Sequence, residues 1–548
     1  MKLWNRILDG IGALPAKRVT WGLVLIFSVW VLLDVFVLKL TRGLAQSSYD
    51  AMVRSRVLVA APDPRVVIVD IDEAALARMG TEFGRWPWPR DTLATVLEHI
   101  ERQGPAAIIW DIVFSDADRL SPGGDAAFNE AAARSQHSHF SVVRLPRAND
   151  AASQITRVAL PGLWLASAPV ATGQSTTVKV STVALIAPAL AAVASSRLGY
   201  NNGYVDSDGV LRRYRYLEPL ADGSAIQSLP LSVLGAIDPA ARDAYFTAFG
   251  GRLESRDELI AWRRSADTYP RVSFADVFAQ ADGGKPQAQL PTFAGKVVII
   301  GATAPSLHDI HPTPLSSMHA GVDSLATVID NALNQRHISE LPRWLQASLA
   351  IALCVALALW VQFKSASSLA PALFALPVAL LGASYLSLNL LPWFVDLHLA
   401  AGLALGFLAV LRYWSMLRRS YWCTPVRHAT QALLLWPWQR NDAWLEGTLD
   451  RLIDVLERHA PSCRIVISDA SAVWPSTLRW PELARCMAVV GPRDTLLGAR
   501  EKLEPALRGL ARRSGEPVLL DSPVSRVQLA NAVLQAWAGL QNTHGDQS

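Results

Sequence analysis

Residues 66–71, VVIVDI, form a short β-branched run in which apolar and polar side chains do not alternate. Runs of this kind are typical of strands buried on both faces of a sheet. Residues 106–112, AAIIWDI, and residues 296–301, KVVIIG, have the same character. Residues 91–102 lie between the first two runs and place their apolar side chains on one helical face. This part of the chain is therefore predicted to be α/β, with an all-β or irregular insertion around residues 158–220.

The composition of the 548-residue chain points to lipid and away from nucleic acid. Apolar residues make up 51% and charged residues 18%, against roughly 45–50% and 25% in an average soluble protein. The net charge is only +4, so no basic surface and no nucleic-acid partner are expected. None of the 4 cysteines precedes Cys354, which excludes a disulfide framework in the amino-terminal part.

Four apolar segments are long enough to cross about 30 Å of hydrocarbon as helices. They are residues 21–38, 344–361, 369–388 and 392–411. Lys39 and Arg42 follow the first segment where a cleavable signal peptide would have small residues, so this segment is predicted to remain as an anchor. The four segments predict an α-helical membrane bundle in contact with lipid.

Two glycines in the last segment, Gly402 and Gly406, form a G-x-x-x-G pattern. This pattern lets two helices approach closely, although glycine is also simply common in membrane helices. Helix packing is the role predicted for this pair.

Lys and Arg near the ends of the segments indicate the orientation of the chain. Basic residues precede the first segment within residues 1–20, Lys364 lies between the second and third, and Arg418 and Arg419 follow the fourth. Both termini are therefore predicted to be cytoplasmic. Residues 40–340 would then lie outside the cytoplasm.

Carboxylates follow the predicted strands, where ligands bind in open α/β sheets. Asp72 follows the first strand, Asp111 lies in the second near its end and Asp309 lies beyond the third. We expect these three to line a ligand pocket. Each also has a structural interpretation, as a helix cap or as a carboxylate that holds a loop.

Residues 84–90, GRWPWPR, place two indoles beside a guanidinium. Trp86, Trp88 and Arg90 could bind a sugar ring or an aromatic ligand, and the indoles could equally pack over apolar surface. The oxygen ligands at residues 206–209 and the histidines near Asp309 lack the spacing of calcium or zinc sites, so no metal and no cofactor are predicted.

Three blocks of sequence carry a family resemblance. They are VVIVDIDEAAL through GRWPWPR to AAIIWDIVFSD, then LGYNNGYVDSDGVLRRY at residues 198–214, then GKVVIIGATAPSLHDIHPTPL with HAGVDSLATVIDNAL. In this order they resemble the CHASE type-two extracytoplasmic sensor domain of bacterial receptors. The resemblance implies a bacterial inner-membrane protein with residues 40–340 in the periplasm, one membrane helix before them and three after. It also implies an extracytoplasmic ligand, whose identity stays open.

Residues 421–548 alternate between predicted strands and helices and form a small α/β domain. The last strand and helix resemble those of response-regulator receiver domains. The acidic pair that would hold Mg²⁺ is missing and Ser522 stands where a receiver has lysine, so any receiver here would be degenerate. Neither a phosphate-binding loop nor a set of kinase motifs occurs, so no enzyme activity is predicted.

Three functions are compatible with these features. The first is a non-enzymatic receptor that relays an outside signal to a cytoplasmic or membrane protein partner. The second is a structural or accessory subunit of an inner-membrane complex, such as one that builds or exports an envelope polymer. The third is an enzyme whose site lies in the tail. Trp436 and Trp438 are the predicted partner-binding residues, because Trp is enriched in interface hot spots. The alternative is that their rings pack against the membrane-proximal helices or lie at the bilayer interface, where Trp is also common. A homodimer is left open.

Overall fold

A computed structural model of the protein describes residues 10–118, 121–165, 182–193, 197–220, 224–248, 257–265, 267–362, 369–423, 432–437, 442–467, 486–508, 518–521, 531 and 534. The chain divides into two compact units. The α/β unit comprises Arg42–Leu341 with Tyr385–Val395, and the membrane unit comprises Met1–Thr41, Pro342–Ser384 and Asp396–Ser548.

Helices and strands alternate along most of the described chain. In chain order the helices are α1 (Ala16–Leu33), α2 (Arg42–Arg54), α3 (Glu73–Phe83), α4 (Arg90–Glu101), α5 (Pro122–Arg134), α6 (Leu229–Ile237), α7 (Pro239–Ala248), α8 (Phe274–Ala281), α9 (Gly321–Leu333), α10 (Arg343–Val361), α11 (Leu369–Leu390), α12 (His398–Trp422), α13 (Asp442–His459) and α14 (Arg493–Arg508). The strands are β1 (Val66–Ile71), β2 (Ala107–Trp110), β3 (Ser138–Arg144), β4 (Trp164–Leu165), β5 (Leu185–Ile186), β6 (Leu198–Tyr200), β7 (Arg213–Arg215), β8 (Leu217–Pro219), β9 (Ala225–Gln227), β10 (Asp257–Leu259), β11 (Arg271–Ser273), β12 (Val297–Ala302), β13 (Ile310–His311), β14 (His319–Ala320), β15 (Ser339–Glu340), β16 (Trp393–Phe394), β17 (Ala432–Pro437), β18 (Arg464–Ile467), β19 (Cys486–Gly491) and β20 (Val518–Asp521).

The α/β unit is built on a mostly parallel sheet with the strand order β11-β1-β12-β2-β3-β5, and β6 also pairs with β3. β1 pairs in parallel with β11 and β12, and β2 pairs in parallel with β12 and β3. β5 runs antiparallel to β3 at the edge. The mixed α/β character predicted from the apolar runs is confirmed.

Both faces of this sheet are covered, which explains why its strands lack alternation. Every residue of β1 is buried. Val67 and Val69 point into a core cluster that includes residues of α3, α4 and α8. Val66 and Ile68 point to the other face, into a cluster with residues of α6 and α9. Successive side chains thus serve two separate cores.

The segment predicted as an insertion at residues 158–220 contributes to the main sheet as well. Its strand β6 pairs in parallel with β3, which corrects the prediction. β4, β8 and β9 form the antiparallel sheet that an all-β insertion would contain. β6 is only 3 residues long and contains Gly199, so it gives none of the β-branched signal that marks the central strands.

Four described helices are long and apolar enough to cross a membrane, namely α1 with its π-helical extension to Leu38, α10, α11 and α12. The fourth differs from the predicted residues 392–411. It begins at His398, because Trp393 and Phe394 form β16 and pair with β15, and it continues to Trp422. This pairing with residues far away in sequence explains why the helix begins later than predicted.

The glycine pattern in α12 has unequal surroundings at its two positions. An added Cβ at Gly406 would come within 3.3 Å of the Phe27 ring of α1, whereas nothing lies within 4 Å of one at Gly402. Phe27 also packs edge-on against Phe407, with ring centroids 5.8 Å apart. Gly406 thus accommodates a neighbouring helix, and Gly402 does not within the described residues.

The carboxyl-terminal part of the membrane unit contains a 4-stranded sheet with the order β18-β19-β17-β20. All three of its described pairings are antiparallel. Receiver domains have a parallel, doubly wound sheet. The predicted receiver-like fold is therefore wrong for these strands, and the error arose because strand direction is set by long-range pairing that short apolar runs do not encode.

Candidate functional site

The carboxyl end of β2 brings Asp111 to the edge of the sheet. Its backbone N–H donates to the Ile300 carbonyl of β12 at 2.9 Å, so the sheet ladder fixes its position. Gly301 lies beside it, where an added Cβ would be 3.0 Å from the Asp111 Cβ and 2.7 Å from Val322. The Asp111 side chain lines the space beyond the end of this strand.

Asp309 reaches the same space from the loop that follows β12. Its carbonyl accepts a 2.9 Å bond from Gly321 N, the first residue of α9. Its two carboxylate oxygens lie so near that an added Cβ at Gly321 would be 2.4 Å from each. A side chain at position 321 would therefore displace the Asp309 carboxylate from its present position.

The two carboxylates line one cavity of about 200 Å³. Asn201 Nδ2 donates to Asp111 Oδ1 at 2.7 Å, and His311 Nε2 lies 3.1 Å from Ser324 Oγ. The lining combines these polar groups with apolar side chains from residues 205–211 and from α9. It consists of Asp111, Asn201, Gly203, Val205, Leu211, Tyr214, Asp309, His311, Gly321, Ser324, Leu325 and Val328.

Burial makes charge expensive in this cavity. Burial and then the Asp309 carboxylate raise the pKa of Asp111 to about 7, against the opposing bond from Asn201. Burial also raises the pKa of Asp309, while His311 lowers it. Burial lowers the pKa of His311 itself. With two carboxylates and no Lys or Arg among the lining residues, the cavity favours a proton, a cation or a hydrogen-bond donor.

Asp72 lies outside this cavity, in the structural role that the sequence left open. It is the N-cap of α3 and accepts a 2.6 Å bond from Ala75 N. Its neighbour Asp70 accepts from the Thr303 backbone and hydroxyl, with Arg271 3.5 Å away. These groups are satisfied within the fold.

Trp86, Trp88 and Arg90 also lie outside the cavity. Trp88 is 2% exposed and packs against Trp86 and Phe274, with ring centroids 4.9 and 5.2 Å away. Arg90 pairs with Asp125 at 2.5 Å and donates to the Asp116 carbonyl. The structure thus places both indoles in the packing role that the sequence left open and Arg90 in an ion pair, and none of the three lines the cavity of Asp111 and Asp309.

Four polar lining residues were absent from the predicted set, namely Asn201, Tyr214, His311 and Ser324. Asn201 and Tyr214 belong to the LGYNNGYVDSDGVLRRY segment, so the family resemblance pointed near them without assigning a role. The described residues contain no group of three or more side chains that could hold a metal ion. Trp436 lies in β17, and Trp438 lies outside the described residues.

Comparison with protein families identifies the family of this chain. The sequence profile of the CHASE2 domain matches residues 23–361, more than half of the 548-residue chain. The chain belongs to the CHASE2 domain family. CHASE2 is an extracellular sensory domain, so the cavity lies in a sensor, and the resemblance drawn from the three sequence blocks is confirmed. Among curated proteins and among solved structures, nothing matches the chain.

Proposed function

We propose that this CHASE2 protein is a bacterial inner-membrane receptor that binds a small extracytoplasmic molecule between Asp111 and Asp309. The supporting observation is a cavity of about 200 Å³ at the carboxyl ends of parallel strands, which is where open α/β sheets bind ligands. Its size suits a ligand of a few heavy atoms. Its paired carboxylates favour a ligand that carries an amine or another cationic or donating group.

In this proposal residues 40–340 are periplasmic and both termini are cytoplasmic. The basic residues after the fourth membrane helix, Arg418 and Arg419 among them, support this orientation through the positive-inside rule. The sensory role of the CHASE2 domain outside the cell supports the same side for the cavity.

The carboxyl-terminal domain relays the signal to a protein partner and catalyses nothing. Its sequence has neither a phosphate-binding loop nor kinase motifs. The membrane unit offers a direct path, because Arg418 of α12 pairs with Asp454 and Glu457 of α13. Arg419 binds Asp450 of α13 with two bonds, at 3.0 and 2.9 Å. The last membrane helix and the first helix of the tail are thus held together by charge.

Thermal shift of the full-length protein in detergent tests the ligand site. The probes are small amines, amino acids and inorganic cations, each tested alone. At 100 times Kd a ligand adds about 2.7 kcal/mol of stability, which is visible in a melt. We expect at least one probe to stabilise the wild-type protein but not Asp309→Asn.

Asp72→Asn is the matched control, because Asn also caps helices well and position 72 lies outside the cavity. It should keep the response of the wild-type protein. Equal shifts in all three proteins would place binding elsewhere. No shift with any probe would contradict the proposal and favour an accessory subunit of a membrane complex, which needs no ligand.

A further inference from the structure

The strand β7 and the two residues before it link the cavity to charged groups of the α/β unit. Leu211 and Tyr214 line the cavity, and Arg212 and Arg213 lie between them in the chain. Leu211 N donates to the Pro312 carbonyl at 2.8 Å, which ties this segment to the loop that carries Asp309 and His311. A displacement of that loop therefore acts directly on the two arginines.

Arg212 directly precedes β7 and connects this strand to the segment that follows the first membrane helix. Its guanidinium binds Asp50 of α2 with two bonds, 2.7 and 2.8 Å. It also binds Asp208 and Asp206 of the preceding turn, and its side chain is 2% exposed. Residues 39–41 alone separate the end of the π-helical turn at Leu38 from the start of α2.

Arg213 connects the same strand to the segment that precedes the second membrane helix. It binds Glu340 of β15 with two bonds, 2.6 and 2.8 Å. The backbone follows the same route, because β7 pairs with β10 and Leu259 N donates to the Ile338 carbonyl at 3.1 Å. The helix α10 begins at Arg343, shortly after Glu340.

These pairs resist independent movement. A buried or partly buried guanidinium with bidentate partners cannot leave one of them without leaving an uncompensated charge. Arg212 and Arg213 are adjacent in the chain at the start of β7, so they move α2 and the 338–340 segment together with the cavity wall.

We propose that Arg212 and Arg213 are the coupling residues that transmit the state of the cavity to both segments joined to membrane helices. The inference rests on the proposed function for the identity of the input. Arg212 carries the branch to α2, and Arg213 carries the branch to β15. Both are positioning residues that touch no ligand.

Hydrogen exchange of the full chain in nanodiscs tests this coupling without a ligand. The perturbation is Asp309→Asn, which removes one cavity charge. In the wild-type background it should change exchange in peptides from Arg42–Arg54 and from residues 336–341 by at least about twofold, the lower end of typical coupling. No change in either segment would overturn the proposal.

Two isosteric variants then separate the branches. Glu340→Gln should abolish the response to Asp309→Asn in residues 336–341 and keep it in α2, and Asp50→Asn should do the reverse. Asp257→Asn is the control, because Asp257 of β10 pairs with Arg215 of the same strand but not with either coupling arginine. Undiminished responses in both variants would also overturn the proposal. These experiments compare the responses of variants to Asp309→Asn and not their basal exchange rates, so an ion pair with only a structural role would not produce the expected pattern. The outcome is also independent of the ligand screen, because no ligand is added.

Discussion

The ionised form of Asp111 is destabilised in the folded protein, because the side chain is largely surrounded by protein and faces a second carboxylate. Its pKa rises from an ordinary value of 3.8 to about 7 in the folded protein. Between about pH 4 and pH 7 the folded state therefore binds more protons than the unfolded state. The stability contributed by this group is present below this window and is lost as the pH rises through it.

Replacing Asp111 by Asn should remove this dependence while keeping the oxygen that accepts from Asn201. We expect Asp111→Asn to be more stable than the wild-type protein at pH 8, by on the order of 1–3 kcal/mol, and nearly equal at pH 4. Melting temperatures of the full chain across this pH range provide the measurement. Asn201→Ala removes a bond that lowers the pKa of Asp111, so it should raise this pKa further. The loss of stability with rising pH should then extend to higher pH than in the wild-type protein. Identical pH slopes in wild type and Asp111→Asn would contradict this account.

At the level of residues, the sequence located two of the six predicted ligand contacts in the cavity. A carboxylate after a strand is equally suited to a pocket and to a helix cap, and Asp72 serves as a cap. Two indoles in a proline-rich turn suit a ligand platform or a core, and Trp88 is in the core. The missed residue Asn201 meets Asp111 across 90 positions of sequence, a contact that no local pattern encodes.

Among the elements, the contact of β6 with α6 depends on a single glycine. An added Cβ at Gly199 would lie 2.3 Å from both the backbone N and Cα of Leu229, and backbone atoms cannot move aside cheaply. Gly199→Ala should destabilise the α/β unit by about 1–3 kcal/mol or more, as overpacking does. Pulse proteolysis of the full chain in urea measures this change.

Gly123→Ala is the matched control, because nothing lies within 4 Å of an added Cβ there. It lies in the first turn of α5 and should be neutral or slightly stabilising. Equal midpoints for the two variants would show that β6 and α6 do not pack as described.

Long strands with both faces buried could be predicted from the sequence, whereas short strands that depend on distant partners could not. β1 and β12, each 6 residues of nearly continuous apolar character, were clear from sequence because both their faces are buried. β6 and β16, of 3 and 2 residues, depend on partners far along the chain and were missed. The same long-range pairing shifted the start of α12 and made the tail sheet antiparallel where a receiver sheet would be parallel.

For the whole molecule, composition and apolar segments predicted a membrane protein with an α/β domain, and the resemblance of three sequence blocks to the CHASE type-two domain implied that this domain is a sensor. Four apolar helices and the CHASE2 match support that description. The location of the cavity within the sensor needed the structure, because its walls come from Asp111 after β2, from residues 201–214, from residues 309–311 and from α9. The central proposal is that the cavity lies on the extracytoplasmic side of the membrane.

Ser324 provides the most direct measurement, because it lines the cavity and lies on α9. The experiment uses Ser324→Cys in a chain whose four native cysteines are replaced by Ala, with a membrane-impermeant cationic thiol reagent applied to intact spheroplasts. We predict that the reagent modifies the introduced cysteine from outside the cell. Asp309→Asn should slow this modification about tenfold, because the Asp309 carboxylate concentrates cations. The same substitution should have little effect on modification by a neutral reagent. Modification that requires lysis of the spheroplasts, or that is equally fast with and without Asp309, would contradict an extracytoplasmic sensor with this cavity as its binding site.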